Sequence, residues 1–264
     1  MPGHRLIFDP AAAGRPLRVA AFMSGSGSNI TKLLELHDPG FEVCFIFSDR
    51  ADGRCRGQEI AWRHGLPYFA YDTRRFHQLK GVKRSVQSSQ GLAARREYDQ
   101  VAATLVRAFE IDVIALGGYM SFLTLERGVN VHPADLSLTG PDGARSFVGD
   151  DAVYDAIVAG LHELRSSTLW IDQGVDSGPL LMVSDPLPVE LPAPLDQLKA
   201  DPAALRRVAD EHQERLKEAG DWVVLPATLR LIAQGRLGLT DQGVVTLDGR
   251  PYPAGVRPGD LAGG

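Results

Sequence analysis

Residues 18–34 read RVAAFMSGSGSNITKLL, and their order decides the fold. An apolar run (18–23) enters a loop with two glycines (24–29), after which Ile30, Leu33 and Leu34 recur at helical spacing. That is strand, glycine loop, helix. The next stretch, FEVCFIFS (41–48), is rich in aromatic and β-branched residues and predicts a second strand. A helix over 56–64, stopped by Gly65 and Pro67, leads to a third strand over 67–71. Val101, Leu105, Val106 and Phe109 mark one face of a helix, followed by a strand over 112–117 whose apolar run from Val113 on predicts burial on both faces. A short strand over 129–131 runs into His132-Pro133, a helix carries Val153, Ile157, Val158 and Leu161, and 167–171 is a further strand.

Strands alternating with helices predict an α/β fold: Rossmann-like, a mostly parallel twisted sheet flanked by helices. Right-handed crossovers then place the active crevice at the carboxyl ends of the strands. After Pro186 come a Pro-rich linker, a polar helix over 202–219, a helix over 226–235, and a short C-terminal hairpin turning at Asp248-Gly249. Residues 1–17 read as a flexible N-terminal tail and 18–264 as a single catalytic domain.

Composition narrows the function. Of 264 residues, 44% are hydrophobic and 23% charged, a globular mixture rather than a disordered one. A formal charge of −5 disfavours nucleic acid and anionic membranes as partners. Only Cys44 and Cys55 are present, without metal-ligand spacing, so neither a disulfide framework nor a metal site is expected. Residues 1–16 hold no apolar signal segment, and the longest uncharged apolar stretch, 113–125, falls short of the roughly 20 residues that span a bilayer. The expectation is a cytoplasmic protein, monomer or homodimer, acting on small molecules.

Three motifs carry candidate chemistry. The 24–29 loop opens a helix, whose first-turn amides and dipole favour a phosphate. It lacks the Lys of a Walker A loop and the third Gly of G-x-G-x-x-G, so a phosphate monoester fits better than a triphosphate or dinucleotide, and a ligand-free turn is the plainer alternative. Asn130 and His132, two apart on a strand, share a face: an amide donor for a developing oxyanion beside a proton-carrying imidazole. Asp176, in QGVDSGP (173–179), is either a turn residue or a carboxylate that stabilises the imidazolium of His132. Each alone also fits a structural role. Residues 73–96 hold seven cations and no acid, which reads as a solvated, mobile insertion.

Together these features resemble the phosphoribosylglycinamide formyltransferase family. The match runs through VAAFMSGSGSNI, FIFSDRADG, REYD (96–99), DVIALGGYMSFLT, VNVHP, WIDQGVDSGPLL and EH (211–212). The resemblance implies a formyltransferase fold and transfer of a formyl group from 10-formyltetrahydrofolate, a co-substrate, to the amine of 5-phosphoribosylglycinamide in purine synthesis, without a metal. It implies Asn130, His132 and Asp176 as catalytic. Gly25, Ser26, Gly27, Ser28, Asn29 and Glu211 would bind the phosphorylated amine, and Arg95, Met120, Ser121, Phe122, Leu123, Asp172 and Val175 would line the folate site. Alternatives are a formyltransferase for another phosphorylated amine, a 10-formyltetrahydrofolate hydrolase, and a non-catalytic folate- or phosphate-binding protein. The cations of 73–96 would then attract a polyglutamate tail. The chain departs from the family in a longer segment after His132-Pro133, in Ser121 where an Arg is usual, and in Leu169 where a His is usual.

Overall fold

The structure, a computed structural model, describes residues 4–263. Its elements run β1 (His4–Leu6), α1 (Pro10–Ala13), β2 (Leu17–Met23), α2 (Ser28–Glu35), β3 (Phe41–Ser48), α3 (Gly57–Arg63), β4 (Tyr68–Ala70), α4 (Thr73–Lys80), α5 (Ser89–Ala108), β5 (Val113–Leu116) and β6 (Gly128–His132). Then follow α6 (Ala152–Val158), β7 (Glu163–Leu164), β8 (Ser167–Trp170), β9 (Leu180–Val183), β10 (Leu187–Pro188), α7 (Leu195–Ala200), α8 (Pro202–Leu216), α9 (Trp222–Ala233), β11 (Leu237–Thr240), β12 (Val245–Leu247) and β13 (Arg250–Pro251). Seven strands form one sheet in the order β4-β3-β2-β5-β6-β8-β9. The strands from β4 to β6 pair in parallel, and β9 is an antiparallel edge on β8. The mostly parallel α/β architecture expected from the sequence is what the chain forms.

Two compact units make up the chain: 8–130, and 1–7 with 131–264. In the first, β2 is buried along almost its whole length, as an unbroken apolar strand in a covered parallel sheet must be. Its register pairs Phe22 with Phe47 on one side and with Leu116 on the other. Helix α2 turns Ile30 and Leu33 inward.

The 73–96 segment is not a mobile insertion. It folds as α4 and the start of α5, because Phe76, Ala94 and Tyr98 form an apolar cluster that the charge count concealed. Asp72 caps α4 through Arg75 N, and Ser88 caps α5 through Gly91 N. Lys80 pairs with Glu97 of α5 at 2.5 Å.

In the second unit, the part of the expected tail from residue 4 on is ordered: β1 pairs antiparallel with β11, His4 opposite Thr240. Next in the chain, within the first unit, Asp9 caps α1 with Pro10 at its first position and Gly14 closing it at φ 62°. The expected helix start at Pro226 lies instead at Trp222. A π turn over Lys217–Asp221 joins α8 to α9, and Pro226 lies inside α9, where it forfeits one i→i−4 hydrogen bond of the helix. The hairpin turns where expected: Asp248 (φ 51°) and Gly249 (φ 77°) both adopt the left-handed region that a two-residue turn between twisted strands requires.

Candidate active site

The second unit assembles an imidazole and a carboxylate. His132 ends β6, and its Nδ1 lies 3.6 Å from Asp176 Oδ2, with both side chains largely shielded from solvent. The other ring nitrogen, Nε2, is 3.0 Å from the carbonyl of Phe147. A carbonyl only accepts, so Nε2 carries a proton in this arrangement. Each ring nitrogen thus faces an oxygen acceptor. Asp176 adopts φ 50°, a conformation that costs a non-glycine residue about 1–2 kcal/mol, so its surroundings must hold it.

Those surroundings come from the long segment after Pro133. Residues 138–146 form a small hairpin: Gly140 N–H donates to Ala144 O (2.8 Å), Ser146 N–H to Leu138 O (3.1 Å), and Gly143 turns the chain at φ 76°. Phe147 anchors it in an apolar cluster with Val153, Leu169 and Leu180. Arg145 then reaches the 171–179 loop, donating from Nη1 to the Asp176 carbonyl and from Nη2 to the Gly178 carbonyl (2.7 Å). Gly149 N–H donates to Asp176 Oδ2 at 3.3 Å. Burial pulls the Arg145 guanidinium below its ordinary pKa, opposed by the charges of Asp176 and Asp172.

Asn130 lies two positions before His132 on β6, paired with Leu116 and half-buried, so strand alternation sends both side chains to one face. In the same unit as Asn130, the 24–29 loop connects β2 to α2. Gly27 precedes α2 at φ 70° and has no side chain to cap the helix. Ser28 and Asn29 begin the helix; Gly25 is half-buried and Ser26 exposed.

One buried residue ties this loop to the next. Asp49 accepts from Ser24 Oγ (2.6 Å) and from Ser121 Oγ, while Ser24 Oγ accepts from Met120 N–H (2.8 Å). The hydroxyl at position 121 is therefore spent on Asp49. Met120 is exposed, Phe122 half-buried, and Leu123 belongs to the core.

Arg95 does not line an open surface. It is 3% exposed, with Nη2 at 2.8 Å from Asp99 Oδ1 and 3.0 Å from the Tyr119 hydroxyl, and its guanidinium lies 4.6 Å above the Tyr98 ring. Burial pushes the Tyr119 hydroxyl well above its ordinary pKa. In the other unit Val175 is exposed, and Asp172 accepts from Gly174 N–H (2.9 Å) and Ser177 Oγ (2.7 Å). Glu211 is exposed on α8; its neighbour His212 is buried, with Nδ1–H donating to Val208 O and Nε2 accepting from Glu190 N–H.

Sequence reasoning missed Asp49, Asp99, Arg145 and Gly149. Asp49 stood inside FIFSDRADG, but nothing in a sequence marks an acid as buried. Arg145 lay in the segment whose length departs from the family, which was the available signal. Among the described residues no group of three or more His, Cys, Asp or Glu side chains is arranged to hold a metal ion, and no helix is long and apolar enough to cross a membrane.

A mostly parallel sheet with Asn130-x-His132 ending one strand and Asp176 in the loop before another fits the resemblance to the formyl transferase family. Residues 17–201 match that family, and the chain belongs to it. It is 24% identical over 238 residues to the trifunctional purine biosynthetic protein adenosine-3 of Homo sapiens, covering 86% of this chain and 19% of that protein. The chain thus spans about a fifth of the length of the human and Gallus gallus trifunctional relatives. The phosphoribosylglycinamide formyltransferase of Anaplasma phagocytophilum superposes with a TM-score of 0.64 at 25% identity, covering 90% of this chain and 98% of that one. A formyltetrahydrofolate deformylase from Pseudomonas syringae pv. tomato shares the fold, with a TM-score of 0.60 at 18% identity over 89% of this chain and 67% of that one.

Proposed function

We propose that the protein transfers a formyl group from 10-formyltetrahydrofolate to the amine of 5-phosphoribosylglycinamide, a step of purine synthesis carried out in the cytoplasm. The observation that carries this reading is the His132–Asp176 approach of 3.6 Å, with Asn130 two residues upstream on the same strand. The names of the relatives support the substrates.

The donor supplies an activated formyl carbon. The acceptor amine adds to that carbon, and the Asn130 amide donates to the oxyanion that forms. The bond to the donor nitrogen then breaks as a proton passes from the former amine to that nitrogen. His132 holds a donor at Nε2, directed at Phe147 O in the resting arrangement. Exchanging this neutral carbonyl for the more negative reacting oxygen strengthens the bond. With a proton on Nδ1 as well the ring is cationic, and Asp176 beside Nδ1 stabilises that charge while the ring faces the oxyanion. The 24–29 loop at the start of α2 takes the phosphate on helix amides, and holding both substrates in place supplies much of the acceleration. We take 18–264 as the catalytic domain.

The shared fold of a formyltetrahydrofolate deformylase favours one second reading, hydrolysis of the same donor. Incubation with 10-formyltetrahydrofolate and candidate amines separates them. Deformylated folate formed only with 5-phosphoribosylglycinamide supports the transferase, and release without any amine supports the hydrolase. Release with a different phosphorylated amine moves the acceptor assignment, and none at all leaves a binding protein.

A further inference from the structure

We infer that Arg145 is a positioning residue for the reaction, holding Asp176 in its left-handed conformation so that the carboxylate meets His132. The inference rests on the formyl-transfer reading of Asp176. It starts from a problem in the 171–179 loop. Asp176 sits at φ 50°, where an aspartate is strained, and its carboxylate must nonetheless keep one direction.

Two features of the loop itself are local. Asp172 ties down Gly174 and Ser177, and Pro179 O accepts from Trp170 N–H at 2.8 Å. Neither touches Asp176. The 138–149 segment does touch it: Arg145 binds the carbonyl of Asp176 and that of Gly178, and Gly149 N–H binds the carboxylate. The planar fork of a guanidinium suits two carbonyls spaced by one residue, whereas an ammonium is a single point donor. The half-buried cation also lies near enough to the Asp176 charge for attraction to offset part of its desolvation. The hairpin over 138–146, built on Gly140 and Gly143, delivers the fork.

A test compares wild type, Arg145→Ala, Arg145→Lys, Asp176→Asn and the double variant Arg145→Ala/Asp176→Asn. In the acceptor assay Arg145→Ala should lower kcat by about 100-fold, the loss that a misplacement near 1 Å brings, with KM changed by less than about threefold. Arg145→Lys should remain slow, and guanidinium in the buffer should restore part of the Arg145→Ala rate. In the Asp176→Asn background the same change should cost little more, because its route is already gone. Full multiplication of the two losses, or a rate loss that merely tracks a lowered melting temperature, overturns the proposal. Hydrogen exchange gives an arm independent of turnover: the amides of 176–178 should exchange faster in Arg145→Ala while those of β8 stay slow. Unchanged exchange there overturns the positioning role even if the wild type transfers no formyl group, so the two failures are told apart.

Discussion

The Nδ1 of His132 and the Oδ2 of Asp176 are 3.6 Å apart, brought together from β6 and from the loop between β8 and β9. At this distance the carboxylate acts mainly as a charge beside the ring, and the backbone N–H of Gly149 shares its oxygen. Asp176→Asn keeps an acceptor for Gly149 while removing the charge. We expect kcat to fall by about 10²–10⁴-fold, the usual weight of an acid–base group, with the melting temperature nearly unchanged. Rates at saturating donor and acceptor, set beside a thermal melt, check this; an active Asp176→Asn protein refutes the charge role.

Asn130 answers to a different measurement. If its amide meets the oxyanion, Asn130→Ala should slow kcat by about 10²–10³-fold, roughly 3–4 kcal/mol of transition-state stabilisation. Donor binding should hardly change, because the oxygen is a weaker acceptor before attack. Equilibrium binding of a non-reactive folate analogue supplies the comparison. A binding loss equal to the rate loss would reassign Asn130 to ground-state contacts.

What was legible in the sequence follows from periodicity and from motifs that fold locally. The strand–loop–helix of 18–34 was readable because residues 19–23 are apolar throughout and those after the loop repeat with helical period. The Asp248-Gly249 hairpin was readable because few residue pairs tolerate two left-handed positions. The 73–96 segment was misjudged because seven cations outweighed Phe76, whose partners Ala94 and Tyr98 come from the following helix. The strand at His4–Leu6 was invisible because its partner, β11, lies at the far end of the chain. Asn130, His132 and Asp176 could be named, but the clamp from Arg145 and Gly149 depends on a hairpin with no periodic signal. Arg95 could be named too, yet burial reversed its expected surroundings.

The two glycines of the 24–29 loop should behave oppositely. A Cβ on Gly27 would collide with the Met23 thioether and come within 2.7 Å of Ile60 Cδ1, at φ 70°. A Cβ on Gly25 meets nothing within 4 Å. Gly27→Ala should therefore lower stability by about 1–3 kcal/mol through strain and overpacking and raise KM for the phosphorylated amine. Gly25→Ala should leave stability within about 0.5 kcal/mol. Denaturant melts and acceptor titrations of the pair decide it; equal behaviour would mean that the approach of Gly27 to Met23 is not what shapes the loop.

Asp99 offers the most severe test of stability. It is fully buried on α5, where Oδ2 accepts from Thr124 N–H (2.8 Å), Thr124 Oγ1 (2.7 Å) and Arg95 Nε (3.2 Å). Asp99→Ala strands the Arg95 guanidinium beneath the surface without its countercharge and frees the start of the 124–127 loop. Breaking one side of a buried pair costs about 3–5 kcal/mol, or on the order of 10 °C in melting temperature for a chain of this size. Replacing both partners, Asp99→Leu with Arg95→Met, removes the orphaned charge and should recover much of the loss. If Arg95 instead served chiefly as a folate contact, Arg95→Met alone would raise the donor KM and leave the melt where it was. The buried geometry predicts the reverse order, a lowered melt with a donor KM that shifts only as far as the packing around Tyr119 relaxes.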